Sequence, residues 1–188
     1  LQATVAIENA RLFAESQQRA AELATINTVS QQLGSNLELS SLIELVGEQI
    51  RTVFKADLAY IALLEPGSGT IHFPYQYGDS DYKPLKLGEG LTSKIIKTGK
   101  PLIINSQMER RTLELGANIV GRQARSYLGV PITVGDTRLG VISVQSAENE
   151  GAYAADDERL LSTIAANVGA ALQNARLFNE TQEALSHQ

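Results

Sequence analysis

Residues 126–146 read SYLGVPITVGDTRLGVISVQS. Two runs rich in β-branched residues, Ser126 to Val134 and Thr137 to Ser146, flank Gly135-Asp136, so the stretch predicts a tight antiparallel hairpin. The pattern then turns helical. Asp156, Asp157 and Glu158 open a helix where negative charge suits the positive end of the helix dipole. Leu161, Ile164, Val168, Ala171, Ala175, Phe178, Gln182 and Leu185 follow at spacings of three and four, the pattern of a coiled-coil seam. Ala171 and Ala175 are small enough for close helix approach. A helix of about 30 residues outruns a small sheet, so the seam is expected to pair with a second copy of the chain.

Upstream, Asp57 to Leu64 and Thr70 to Tyr77 are strand-like runs separated by Glu65-Pro66-Gly67-Ser68-Gly69, which predicts another hairpin. Pro74 removes a ladder donor, placing its strand at an edge or at a bulge. Gly78 to Gly90 is polar and irregular. A short helix follows over Leu91 to Lys97, stopped by Gly99 and Pro101, and then a short strand over Leu102 to Asn105. Ser106 to Arg125 carries mixed charge and loosely spaced apolar residues, as either a lid with some helical content or an ordinary surface crossover. From Ala3 to about Leu33 neither Pro nor Gly occurs, which predicts one long helix ended by Gly34-Ser35-Asn36. Ser41 with Glu44 forms a capping box, and Leu42, Leu45, Val46, Ile50, Val53 and Phe54 predict a second amphipathic helix to about Lys55.

The terminal helices share a sequence. Asn-Ala-Arg-Leu-Phe starts at Asn9 and again at Asn174, 165 residues apart, with Glu15/Glu180 and Gln17/Gln182 in step. That interval is about one small domain, so the chain is expected to be one unit of a tandem array: a linker helix over 1–21, a domain over 22–178 and the start of a downstream linker over 179–188.

With 188 residues and 43% hydrophobic content the chain can bury a real core. A net charge of −5 and a pI near 5.1, without a concentrated basic patch, argue against nucleic-acid binding. The absence of cysteine removes disulfides, thiolate nucleophiles, iron–sulfur clusters and cysteine-ligated zinc. No apolar run approaches the ~20 residues of a membrane span, and the expected setting is cytoplasmic with no membrane contact. No Ser/His/Asp order, phosphate-binding glycine loop or HExxH motif is present, so the chain is not expected to be an enzyme. Asp79, Asp81, Asp156, Asp157 and Glu158 sit in a loop and at a helix start, where solvation and the dipole account for them.

Taken together, Gly88-Glu89-Gly90-Leu91, Leu128-Gly129-Val130-Pro131-Ile132, Leu139-Gly140-Val141-Ile142 and Asp157-Glu158-Arg159-Leu160-Leu161, with the closing Asn174-Ala175-Arg176-Leu177-Phe178, resemble a GAF domain over about residues 22–178. The resemblance implies an α+β fold: a six-stranded antiparallel sheet, terminal helices on one face and a loop-covered pocket on the other. It also implies a bacterial signalling protein, a histidine kinase, nucleotide cyclase, phosphodiesterase or transcriptional activator, in which ligand occupancy passes along dimeric helices. Members that bind cyclic nucleotides carry Asn-Lys before a Phe, three residues and Asp-Glu. Here Tyr153 and Asp157-Glu158 match the latter part, but Ser146-Ala147 stand in place of Asn-Lys, so cyclic nucleotide is not expected. Covalent bilin and the sulfoxide reductases of this fold need cysteine. A haem ligand would have to be His72 or His187, and neither position favours it.

The expected pocket lining is Tyr75, Tyr77, Leu91, Thr92, Ile95, Ile119 and Tyr127, with Arg125 and Ser126 as polar contacts. Tyr75 and Tyr77 share a strand face by the period of two. Three tyrosines among aliphatic residues suit a small, partly aromatic ligand. Two readings stand at this point: a sensor of an unidentified small molecule that acts as a homodimer through its terminal helices, and a dimerisation spacer whose pocket has no ligand.

Overall fold

The computed structural model describes residues 7–17, 36–78, 81–88, 90–118 and 123–186. In chain order these form α1 (residues 7–17), α2 (Asn36–Val53), β1 (Leu58–Leu64), β2 (Thr70–Tyr77), β3 (Leu85–Lys86), α3 (Gly90–Thr98), β4 (Leu102–Ile104), α4 (Met108–Glu114), β5 (Ser126–Val134), β6 (Thr137–Ser146) and α5 (Ala155–Ser186). The strands make one six-stranded antiparallel sheet in the order β3-β2-β1-β6-β5-β4. Both predicted hairpins are present, as β1–β2 and β5–β6, and β1 pairs with β6 to join them at the sheet centre. The rest of the long N-terminal helix expected over residues 3–33, and its stop at Gly34-Ser35, lie outside the described residues.

Each central strand divides its side chains between two cores. Ala59 and Ile61 of β1, Leu128, Val130 and Ile132 of β5, and Ile142 and Val144 of β6 face α2 and α5. Helix α2 supplies Leu42, Ile43, Val46 and Ile50, and α5 supplies Leu161, Ile164, Ala165, Val168, Ala171 and Leu172. On the opposite face Tyr60, Ala62, Tyr127 and Val141 meet Ile95 and Ile96 of α3. The sheet is thus covered on both sides, which explains why its strands are nearly continuous apolar runs.

Three expectations change here. Helix α2 begins at Asn36, so Ser41 lies inside it and is not its cap. The seam of α5 is divided: Leu161, Ile164, Val168 and Ala171 are buried against this chain's own sheet. Burying a Leu, Ile or Val side chain is worth about 1.5–3 kcal/mol, and here the sheet takes that stabilisation, so these positions are closed to a second copy. Beyond them Ala175 is half-buried, and Leu177, Phe178 and Leu185 are exposed.

The third change concerns β2. Ile61 pairs with Tyr75 and Leu63 with His72, so β2 carries one residue more than β1 across Phe73-Pro74. This is a bulge at the proline, and an extra residue reverses the faces of everything beyond it. Ile71 and Phe73 face the α3 side, whereas Tyr75 joins the α2 core and Tyr77 lies under the Arg51 guanidinium, 4.6 Å from the ring centroid. Tyr75 and Tyr77 do share a face, but it is the one away from the expected pocket. The ring of Tyr75 is seated on Gly47 of α2, where an added Cβ would lie 2.4 Å from the ring atoms.

Candidate functional site

Opposite α2 and α5 the sheet carries a hydroxyl-rich floor. Tyr60 of β1 is paired with Ser143 of β6, Ser143 with Gly129 of β5, and Tyr127 of β5 with Gln145 of β6. Because Ser143 and Gly129 are small, the two tyrosines lean across β6, and their hydroxyls meet at 2.8 Å. A Cβ on residue 129 would lie 2.7 Å from the Tyr127 hydroxyl, so glycine is what leaves the space. Thr92 on α3 completes the chain, its Oγ1 2.6 Å from the Tyr60 hydroxyl. Three hydroxyl protons serve two such bonds, which leaves one donor over.

Burial pushes the Tyr60 phenol up to about 12. It raises Tyr127 well above its ordinary value, reinforced by Tyr60. Both groups remain neutral phenols at physiological pH.

An aromatic wall rises from this floor. Tyr60 meets Phe73 edge-on at 5.4 Å and Tyr82 at 5.1 Å, and Phe73 stacks on Tyr82 at 5.1 Å. The Gln76 amide holds Tyr82 in place: its Nε2 donates to the Tyr82 carbonyl at 2.9 Å, and its Oε1 accepts from the Tyr82 N–H at 2.7 Å. Leu91 and Thr92 of α3, Met108, Glu109 and Thr112 of α4, and Asn118, Gln123, Ala124 and Gln145 close the remaining sides. The cavity is half open, with about 60 Å³ of free space at its centre in a cleft of about 610 Å³ that includes its mouth.

Of the residues singled out from the sequence, Leu91, Thr92 and Tyr127 line this cavity. Ile95 is one layer deeper, buried against Gly129. Ser126 is also buried, and its hydroxyl is committed to the backbone, donating to the Asn149 carbonyl at 2.7 Å and accepting from the Ala152 N–H at 3.2 Å. Arg125 lines a separate open surface cleft with Glu114 and Glu150. Tyr75 and Tyr77 are on the other face, and Ile119 lies outside the described residues. His72 is exposed on β2, its Nε2 3.5 Å from Glu65. The Ser68 hydroxyl, with His72 behind it, holds the Glu65 carboxyl below its ordinary value.

Sequence reasoning missed Tyr60, Phe73, Tyr82 and Gln145. The signal for Tyr60 and Gln145 was parity, since each shares a strand face with neighbours that point away from the helices. No comparable signal marked Tyr82, which reaches the site from an irregular segment.

The sheet thus carries a central pair of hairpins, two helices on one face and a cavity under α3 and α4 on the other. The family model of the GAF domain matches residues 36–173. The chain belongs to the GAF domain family. This GAF domain is 28% identical over 180 residues to the Nif-specific regulatory protein of Azospirillum lipoferum, covering 87% of this chain and 27% of that protein. It is 29% identical to the protein of the same name from Herbaspirillum seropedicae, covering 84% of this chain and 30% of that protein. The chain thus spans under a third of the length of these relatives. Among solved structures, the GAF domain of a phosphoenolpyruvate-protein phosphotransferase from Coxiella burnetii superposes with a TM-score of 0.64 at 20% identity, covering 86% of this chain and 98% of that one. The free methionine-R-sulfoxide reductase of Neisseria meningitidis superposes with a TM-score of 0.66 at 13% identity, covering 85% and 93%. At these identities the structural likeness speaks for the fold, and the fold serves regulators and enzymes alike. No helix among the described residues is long and apolar enough to cross a membrane.

Proposed function

We propose that this GAF domain is the sensory module of a longer cytoplasmic regulatory protein, which binds a small molecule between the sheet and α3/α4 and relays its occupancy along α5. The observation that carries this reading is the position of β5. Its Tyr127 contributes to the cavity floor, while its Leu128, Val130 and Ile132 lie beneath α5. A shift of the floor therefore acts on the packing of the helix that leaves the domain. Binding is favoured over catalysis because the described cavity residues offer neutral hydroxyls and amides, with one exposed carboxylate, Glu109, and no cysteine or histidine. The Nif-specific regulatory proteins, at 28–29% identity, support a regulatory role.

In this reading the exposed Leu177, Phe178 and Leu185 engage a second copy, and the repeated Asn-Ala-Arg-Leu-Phe of α1 is the exit helix of a preceding unit in a tandem array. A spacer without a ligand is the second reading, favoured by the mere 60 Å³ of free space at the centre of the cavity. Native mass spectrometry of freshly purified protein separates the two. A bound small molecule, or saturable thermal stabilisation by one, is expected of the sensor. A dimer of bare chains that no metabolite library stabilises is the result that overturns it.

A further inference from the structure

The side chains of the cavity restrict what enters it. Among its described lining residues Glu109 is the charged one, and it stands exposed at the mouth. The one arginine considered as an anion partner, Arg125, is in a different cleft, and Arg122 lies outside the described residues. Among the described residues an anion deep in this cavity finds no countercharge and a cation finds only neutral phenols at the floor, and desolvating either charge there is costly.

The buried hydroxyls of Tyr75 and Ser143 have no hydrogen-bond partner, and beside Ser143 the polar side chain that opens on the cavity is Gln145. It is 4% exposed, lines the cavity, and its carboxamide has no hydrogen-bond partner among the described residues. Its amide atoms are not among the sealed, unpartnered ones, so they open on the cavity, where a ligand can reach them. Around it the hydroxyls of Tyr60, Tyr127 and Thr92 bond to one another with one donor left over, and the Thr112 hydroxyl donates to the Met108 carbonyl at 2.7 Å. A carboxamide presents a donor beside an acceptor in one plane, and its natural complement is a group that presents the same pair reversed.

We infer that, if the cavity is a ligand site as proposed above, it takes a small uncharged planar molecule with a carboxamide- or lactam-type edge, and that Gln145 recognises that edge. The free space at its centre has room for an edge and not a whole ring, given that an apolar cavity of about 150 Å³ is what holds benzene. The flat body then lies in the wider cleft along Phe73 and Tyr82.

The chain's single methionine, Met108, lines the cavity, so its ¹³C-labelled methyl group is a reporter confined to the site, assigned with Met108→Leu. Isosteric probes that differ in charge decide the class: benzamide, nicotinamide and uracil as neutral edges, benzoate and nicotinate as anions, benzylamine as a cation. Saturable shifts of the Met108 methyl with the neutral probes at millimolar concentration, at least tenfold weaker or absent with the charged ones, are the expected result. Gln145→Leu, with a melting temperature close to the parent's, weakens benzamide at least tenfold. Equal or tighter binding of benzoate or benzylamine overturns the ligand class and leaves the pocket standing. Benzamide binding unchanged by Gln145→Leu removes Gln145 as the recognition group. Silence of the Met108 methyl to every probe, in protein that carries no small molecule by mass spectrometry, defeats the pocket and the ligand class together. Should Gln145→Leu fail to fold, the charge series on the parent protein still decides.

Discussion

Tyr75 and Gly47 show how much one contact specifies. The ring stands on the glycine with no room for a Cβ, while the buried Tyr75 hydroxyl has no hydrogen-bond partner. Gly47→Ala is therefore expected to cost about 1–3 kcal/mol through overpacking, measured by the denaturation midpoint. Tyr75→Phe removes an unsatisfied buried group and is expected to be neutral or to stabilise by up to about 1 kcal/mol. Gly47→Ala should be non-additive with Tyr75→Ala, because the space that the Cβ lacks is the space of that ring. A similar crowding makes Gly129→Ala displace the Tyr127 hydroxyl. Its signature is a shift of the Met108 methyl resonance together with a loss of stability, since the change occurs at the cavity floor.

At the scale of elements, α5 is two helices in energetic terms. Its 32 residues span about 48 Å, and burial on the sheet ends near Leu172. Val168→Asp, at 2% exposure, places a carboxylate in the core and is expected to cost more than about 3 kcal/mol or to abolish folding. Phe178→Asp and Leu185→Asp lie past the sheet and are expected to leave monomer stability within about 0.5 kcal/mol. Analytical ultracentrifugation of these two variants then reads self-association alone. Unchanged association in both would remove the exposed half of α5 as a dimer contact. The bulge at Phe73-Pro74 is the other decisive element feature. Deleting Pro74 removes the extra residue and leaves Ile61 opposite Tyr75 and Ala62 opposite Phe73, so it should keep Tyr75 in the α2 core, whereas inserting a second residue there would turn Tyr75 toward the cavity and should unfold or misregister the sheet.

For the molecule as a whole, the buried phenols set a limit at alkaline pH. Tyr60 and Tyr75 are each raised to about 12 by burial, and Tyr127 also lies well above its ordinary value. A folded-state pKa above the unfolded value near 10 means that stability is fully present below pH 10 and falls as pH rises toward 12. The loss is on the order of 2–3 kcal/mol for fully buried Tyr60. Phenolate absorbance and circular dichroism should therefore change together in a cooperative step above pH 10. A Tyr60→Phe variant should move that step to higher pH.

Much of the architecture was legible in local pattern: the two hairpins, the acid-capped start of α5, the short helix before Gly99 and the irregularity at Pro74 all follow from turn chemistry, capping and strand composition. The match to residues 36–173 agrees with motifs that each depend on a few neighbouring residues. What the sequence by itself determined is which segments form strands and helices and, within an unbroken strand, which side chains lie together. Only the tertiary structure decided which of the two faces each set joins. A single bulge reverses a strand's faces, and a heptad of apolar residues reads the same whether its partner is a second helix or the chain's own sheet. That is why Tyr75 and Tyr77 moved to the helix core, why Leu161 to Ala171 proved to be internal, and why the cavity belongs to Tyr60, Tyr127, Phe73, Tyr82 and Gln145, drawn from strands and a loop that are distant in sequence.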